Sequence, residues 1–202
     1  MKNIIEEIIK TEWEMFQKVD NIGGRASCQE DPETFYIMRR SQYDNWSEEM
    51  VNYYLDFARK SLKEGRNLLA EKYARMMAYT NLHYYNKHLA HKLPAVPILH
   101  YRIINKIVEK LIYWEEEMAV RYPKLSGTGR PIRSSEDYKG FTSMETYARG
   151  ELETYPLELL DMYLLYVEGL DAEGKSLAEM NQLTMVKMYG YDSIEEAEDS
   201  LK

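Results

Sequence analysis

Two glutamates stand where helical spacing calls for apolar side chains. Wound at about 100° per residue, residues 3–19 place Ile5, Ile8, Met15, Phe16 and Val19 on one face, with Glu12 near its middle. Glu6, Glu7 and Glu14 fall on the opposite, wet side. A carboxylate buried alone carries a large desolvation cost or takes up a proton. Glu12 therefore needs a cation, a set of hydrogen-bond donors, a metal or water. Residues 144–155 repeat the pattern: Glu151 sits among Met144, Tyr147, Ala148, Leu152 and Tyr155. Two carboxylates held in different surroundings can serve as acid and base, so Glu12 and Glu151 are candidate catalytic residues. On the helix read over 32–42, Phe35 and Met38 define the apolar side, Gln42 lies between them and Arg39 flanks Phe35. A guanidinium binds a carboxylate through two parallel hydrogen bonds, which makes Arg39 the expected partner of Glu12. Two readings follow. Either these charges are internal ion pairs that fix helix register, or Glu12, Arg39, Gln42 and Glu151 line a polar pocket.

Two loops add polar groups. Gly23-Gly24-Arg25-Ala26-Ser27-Cys28-Gln29 joins the first two helices. Cys28 precedes a helix N-terminus and lies near Arg25, both of which favour a thiolate nucleophile, while Glu30 and Asp31 oppose it. The same two acids disfavour a phosphate at that helix end. The second loop, 127–137, offers Arg130, Arg133, Ser134 and Ser135 as a carboxylate or phosphate clamp. Arg149 follows Glu145 by four, the favourable order for a surface pair. Arg25, Gln29, Arg39, Gln42, Arg130 and Arg149 are the candidate ligand-binding residues, with Cys28 as a third catalytic candidate. His83, His88 and His91 share one helix, but no Glu-x-x-His or His-Glu-x-x-His pattern and no cysteine pair accompanies them. No metal or other cofactor is expected.

The elements that must position these groups read as helices throughout. Helical periodicity covers about 3–19, 32–42, 47–65, 67–91, 99–121, 144–155, 156–169 and 177–189, with a short last helix from 194. Gly23 and Gly24 stop the first. Asp31 caps the second, with Pro32 as its first residue. Pro94 and Pro97 end the fourth. Ser176 with Glu179, and Ser193 with Glu196, read as capping boxes. Residues 122–143, with Pro123, Gly127, Gly129, Pro131 and Gly140, form one long irregular loop, of the kind that is usually functional when ordered. The expectation is an all-α single domain, a bundle or orthogonal array of about eight to nine helices.

Composition narrows the function classes. A chain of 202 residues that is 45% hydrophobic has material for a sizeable core. A net charge of −8 argues against sequence-independent nucleic-acid binding. One cysteine excludes an intramolecular disulfide, no stretch approaches the roughly 20 apolar residues that span a bilayer, and residues 1–10 do not read as a secretory signal. The expected setting is the cytoplasm, without membrane or nucleic acid, and with a homodimer as the alternative assembly. Eighteen tyrosines predict a core rich in hydrogen bonds.

Several of these segments together resemble the bacterial domain-of-unknown-function family 4125. They are Glu12-Trp13-Glu14-Met15-Phe16, Asn21 to Gln29, and Ile37 to Gln42 with Trp46. Tyr122-Pro123, Gly129 to Ile132, Thr142-Ser143, Glu145 to Tyr147, Arg149 to Leu152 and Tyr189 to Tyr191 agree as well. Residues 81–110 match least. The resemblance implies one domain and draws attention to the same polar segments; it implies neither substrate nor mechanism. The function expected from the residues is binding of a small anionic or polar molecule in a Glu/Arg-lined pocket, with carboxylate acid/base catalysis as one form of it. In that arrangement Arg39 and Arg130 hold the anion while Glu12 or Glu151 moves a proton. The alternative is a structural or protein-interaction module in which the buried pairs only fix packing.

Overall fold

Capping chemistry and helical periodicity set most of the boundaries in the computed structural model, which describes residues 1–22, 24–138 and 141–202. Gly23 and Gly140, read above as chain breakers, lie outside the described residues. The described chain is helical, with one isolated bridge between Tyr138 and Phe141 in place of any strand. It divides into two compact units, Met1–Ala70 and Glu71–Lys202.

The first unit contains α1 (Lys2–Gln17), a short 3-10 turn (Ser27–Glu30), α2 (Pro32–Tyr43) and α3 (Glu48–Lys63). Asp31 accepts from the Thr34 amide at 3.0 Å and Pro32 opens α2, as the sequence predicts. Gly24 has φ of 101°, a conformation that side-chain-bearing residues rarely adopt. Helix α1 packs against α2 and α3. Ile5, Ile8, Met15, Phe16, Val51, Leu55 and Ala58 form the core. The expected face of α2 needs correction. Met38 is exposed, and Ile37, Arg39, Arg40 and Tyr43 are buried instead. Phe35 stays at the edge, stacked on Phe16 with centroids 5.3 Å apart.

The second unit takes in most of α4 (Leu68–Thr80), then α5 (Leu82–Tyr84), a π turn (Tyr85–Leu89) and a 3-10 turn (Ala90–Lys92). The long α6 (Ile98–Arg121), α7 (Pro123–Gly127), α8 (Met144–Leu152), α9 (Leu157–Ala172), α10 (Leu177–Met188) and α11 (Ile194–Ser200) follow. Helix α6 is the centre, packed on α7, α8, α9 and α10 through Ile104, Ile107, Val108, Ile112, Trp114 and Met118. The described chain has eleven α-helices where eight to nine were expected. Asn81 breaks the predicted 67–91 helix by capping α5 through its side chain. Pro123 starts a helical turn, α7, inside the predicted loop.

Pro131, Ile132, Asp137 and Ser143 of that loop serve the start of α8. The Met144 and Glu145 amides donate to the carbonyls of Pro131 and Ile132 at 2.8 and 3.0 Å. Ser143 Oγ accepts from Thr146, and Asp137 accepts from the Ser143 amide and the Thr146 hydroxyl. A helix start leaves its first amides without intrahelical acceptors, and this loop supplies them. Of the two predicted capping boxes only the serine halves form, Ser176 to Glu179 and Ser193 to Glu196. The glutamates go elsewhere: Glu179 takes Arg121, and Glu196 accepts from the Asp192 amide.

Candidate functional site

Within the first unit, Glu12 is fully buried at 0% exposure and surrounded by donors. Arg39 Nε donates to its Oε2 at 2.6 Å, and Arg39 Nη2 donates to Oε1. Tyr43 and Tyr54 donate their hydroxyls to the same Oε1 at 2.8 and 2.7 Å. Of these four donors, three meet Oε1 and one meets Oε2. Arg39 also donates from Nη1 to Gln42 Oε1 at 3.0 Å and from Nη2 to the Tyr43 hydroxyl at 2.6 Å. Three neighbouring rings close the cluster: Tyr43, Trp46 and Tyr54 have centroids 5.0–5.7 Å apart. The expected Glu12–Arg39 pair is present, and Gln42 is held by the same guanidinium.

The glycine–cysteine segment serves the end of α1. Gln29, 1% exposed, donates to the carbonyls of Phe16 and Val19 at 2.8 and 3.1 Å. Its oxygen accepts from Asn21 and from the Ala26 amide. Arg25 donates to the Gln29 carbonyl at 3.0 Å and to Gln17, and pairs with Glu30 at 3.7 Å. Cys28 is exposed on the 3-10 turn. The amide of Gln29 is thus fully used in closing a helix.

In the second unit, Glu151 has its own cation. Lys72, 2% exposed, donates to Glu151 Oε2, and Tyr155 donates to Oε1 at 2.8 Å. The Lys72 ammonium lies 3.4 Å from the centroid of the Tyr147 ring, with the Arg130 guanidinium carbon 5.0 Å from that centroid. Arg130 also donates to the Thr142 carbonyl at 3.0 Å. The approach of α8 to α4 depends on Gly150, where an added Cβ would stand 2.7 Å from Met76 Cγ and 3.0 Å from the Lys72 carbonyl oxygen. One turn along α4, Arg75 is 4% exposed, lies 3.6 Å from Glu153 and donates to the Pro94 carbonyl at 2.8 Å. Its Nε has no hydrogen-bond partner. Tyr79 donates to Glu153 at 3.1 Å. Burial raises the Glu153 carboxyl above the ordinary carboxylate range, opposed by Arg75 and Tyr79. Burial and the Glu153 charge likewise push the Tyr79 hydroxyl well up.

Of the two loop arginines Arg133 clamps a carboxylate, as its chemistry suggests, but that carboxylate belongs to the chain itself. Arg133 binds Glu116 through two bonds of 2.6 Å. That pairing holds the Glu116 carboxyl below its ordinary range. Ser134 donates its amide and hydroxyl to Glu145, both at 2.9 Å. Arg149 pairs with Glu145 as predicted, and also donates to Asn105 at 2.6 Å. Beside them runs an open groove of about 290 Å³ lined by Asn105, Val108, Glu109, Ile112, Arg133, Glu145 and Arg149.

Sequence reasoning missed Lys72 and Arg75. The signal was present: Leu68, Lys72, Arg75, Met76 and Tyr79 follow helical spacing on one face of α4. It also missed Glu115, a half-buried carboxyl on α6 that burial pushes up to about 7. No group of three or more His, Cys, Asp or Glu residues able to hold a metal occurs among the described residues. No helix among them is long and apolar enough to cross a membrane.

The model of the family described as "Protein of unknown function (DUF4125)" matches residues 2–199, and the chain belongs to that family. No curated protein and no solved structure matches the chain.

Proposed function

We propose that this family member is a helical protein-interaction module whose buried ion clusters set helix packing. The observation that carries this reading is the enclosure of Glu12, which receives four donors from Arg39, Tyr43 and Tyr54 at zero exposure. A general base needs a lone pair within reach of the proton it removes, and a ligand-binding guanidinium needs donors aimed at the ligand. At this cluster both are spent inside the unit. Glu151 is held in the same way by Lys72 and Tyr155. With the internal charges engaged in packing, function moves to the surface.

A small anionic ligand is the second reading, and the groove beside Arg133 and Arg149 favours it. One comparison separates the two. Glu12→Gln lowers the melting temperature in the interaction reading, and titration of the wild type with phosphate or citrate by calorimetry shows no saturable heat. Saturable binding of either anion, lost in Arg149→Ala at unchanged melting temperature, establishes the ligand reading instead.

A further inference from the structure

Between Lys72 and Val108 the sequence contains no Asp or Glu, although the chain as a whole has 34. The same 37 residues hold six lysines and arginines and all four histidines. Because the whole chain carries −8, the residues outside this stretch carry −14. Lys72 and Arg75 are buried and committed to Glu151 and Glu153. Lys87, Lys92 and Arg102 are exposed, and their side chains make no ion pair or hydrogen bond among the described residues. Elsewhere in this unit Lys110, Arg121, Arg133, Arg149 and Lys175 pair with carboxylates, whereas Lys106, Lys124, Arg130 and Lys187 make no ion pair among the described residues.

Apolar exposure concentrates in the same place. Leu82 is 58% exposed and Ile98 80%, with Leu99, Tyr79 and Tyr101 also open to solvent. These residues lie at the end of α4, on α5 and at the start of α6, the two arms of one hairpin. Its turn is irregular, passing through a π turn and a 3-10 turn. Arg75 anchors it by donating to Pro94. Large exposed apolar side chains rimmed by polar groups mark interaction surfaces, and π turns concentrate at functional positions.

We propose that the Tyr79–Arg102 hairpin is a docking surface for an acidic segment of a partner protein that also carries apolar side chains. The inference rests on the interaction reading above and names its surface and partner. Charge decides among occupants. A second copy docked through the same face would set cations against cations, which is costly. A bilayer or a nucleic-acid duplex is an extended anionic surface, and the −14 carried by the rest of the chain disfavours it. A narrow acidic peptide meets only the cationic patch. Leu82, Ile98 and Leu99 supply the apolar contact, and Lys87, Lys92 and Arg102 of the same stretch add charge that sets specificity and on-rate.

The test is selection of a random 16-residue peptide display library on the full chain. A parallel selection uses the Lys87→Glu/Lys92→Glu/Arg102→Glu variant, its fold checked by circular dichroism. The expected result is enrichment of peptides combining Asp or Glu with Leu, Ile or Phe. Their affinity should fall roughly tenfold or more in the charge-reversed variant and in Leu82→Ser/Ile98→Ser. Enriched peptides that bind both variants as tightly as the wild type overturn the hairpin as the surface and leave the interaction reading standing. Enrichment of neutral or basic peptides overturns the partner's chemistry. Absence of any enriched peptide counts against both. Flotation of the wild type, but not the charge-reversed variant, with vesicles of 30% phosphatidylserine replaces the acidic peptide with a membrane.

Discussion

Glu12→Gln is the most informative single change. Glutamine keeps one carbonyl oxygen for the hydroxyls of Tyr43 and Tyr54, but it removes the charge and turns an amide donor toward the donors of Arg39. Arg39, 5% exposed, becomes a buried cation without its anion. Breaking a buried pair from one side costs about 3–5 kcal/mol, a large share of the roughly 5–15 kcal/mol that holds a typical domain folded. At roughly 2–4 °C per kcal/mol for a chain of this size, the melting temperature falls by about 6–20 °C. The double variant Glu12→Leu/Arg39→Met removes both charges. It should lose less than the two single replacements summed, because the isolated-charge penalty is absent. Some loss persists, since the two tyrosine hydroxyls lose their acceptor at about 1–3 kcal/mol each. Thermal melts at 222 nm measure the total. Urea titration followed by tryptophan fluorescence in a Trp13→Phe/Trp114→Phe background adds a local report through Trp46, which packs on Tyr43 and Tyr54. A shift of under about 2 °C for Glu12→Gln, or additive single effects in the cycle, would refute the role given to this cluster.

Three further outcomes are expected. Gly150→Ala gains roughly 1 kcal/mol from helix propensity where nothing obstructs the methyl, but here that methyl meets Met76 and the Lys72 carbonyl. The variant should therefore lose about 1–3 kcal/mol, and a raised melting temperature would contradict the close helix approach. Glu115 is pushed by burial from an ordinary value of 4.5 up to about 7. The folded state therefore holds a proton that the unfolded state releases, and this group's contribution to stability falls as pH rises from about 4.5 to about 7. Glu115→Gln should gain up to about 3 kcal/mol over wild type at pH 8 and nothing near pH 4; an equal gain at both pH values would rule out titration as the cause. Cys28, the single thiol and exposed, should react with one equivalent of Ellman's reagent in the native protein within minutes. Reaction only after unfolding would show that the thiol is covered.

Where a signal was local and repeated, the sequence was a sound guide. Asp31-Pro32 marks the start of α2 because the acceptor and the missing amide both act within one turn. Glu12 stood out because five apolar residues surround it on the helical wheel. Arg39 could be matched to it because few groups neutralise a buried carboxylate. Lys72 and Arg75 were less legible. A long cationic side chain on a helix usually runs its stem along the core and keeps its head in water. Their burial is made favourable chiefly by Glu151 and Glu153, about 80 positions away along the chain. The loop 127–137 reads as a carboxylate or phosphate clamp because Arg130, Arg133, Ser134 and Ser135 have that chemistry. Periodicity carries no signal that Glu116 and Glu145 would be the carboxylates that Arg133 and Ser134 hold. Met38 was misplaced for a related reason: the ion pair turns the Arg39–Tyr43 side of α2 inward and leaves the methionine outside.

The tyrosines connect these observations. At least seven tyrosine hydroxyls donate to glutamates: Tyr36 to Glu6, Tyr43 and Tyr54 to Glu12, Tyr79 to Glu153, Tyr113 to Glu117, Tyr122 to Glu195 and Tyr155 to Glu151. With 34 acids against 26 lysines and arginines, there are too few cations to pair every carboxylate. A phenol supplies a donor without a charge of its own, so it satisfies a carboxylate oxygen while its ring adds apolar area. The effect is visible in the acidities, since the bonds to Glu6, Glu117 and Glu195 each raise the hydroxyl that makes them. It also bears on the cationic hairpin. Tyrosine donors on carboxylates elsewhere lessen the demand for internal cations, so Lys87, Lys92 and Arg102 can stay unpaired in a chain of net −8. Charge that is not spent on packing is available for a partner.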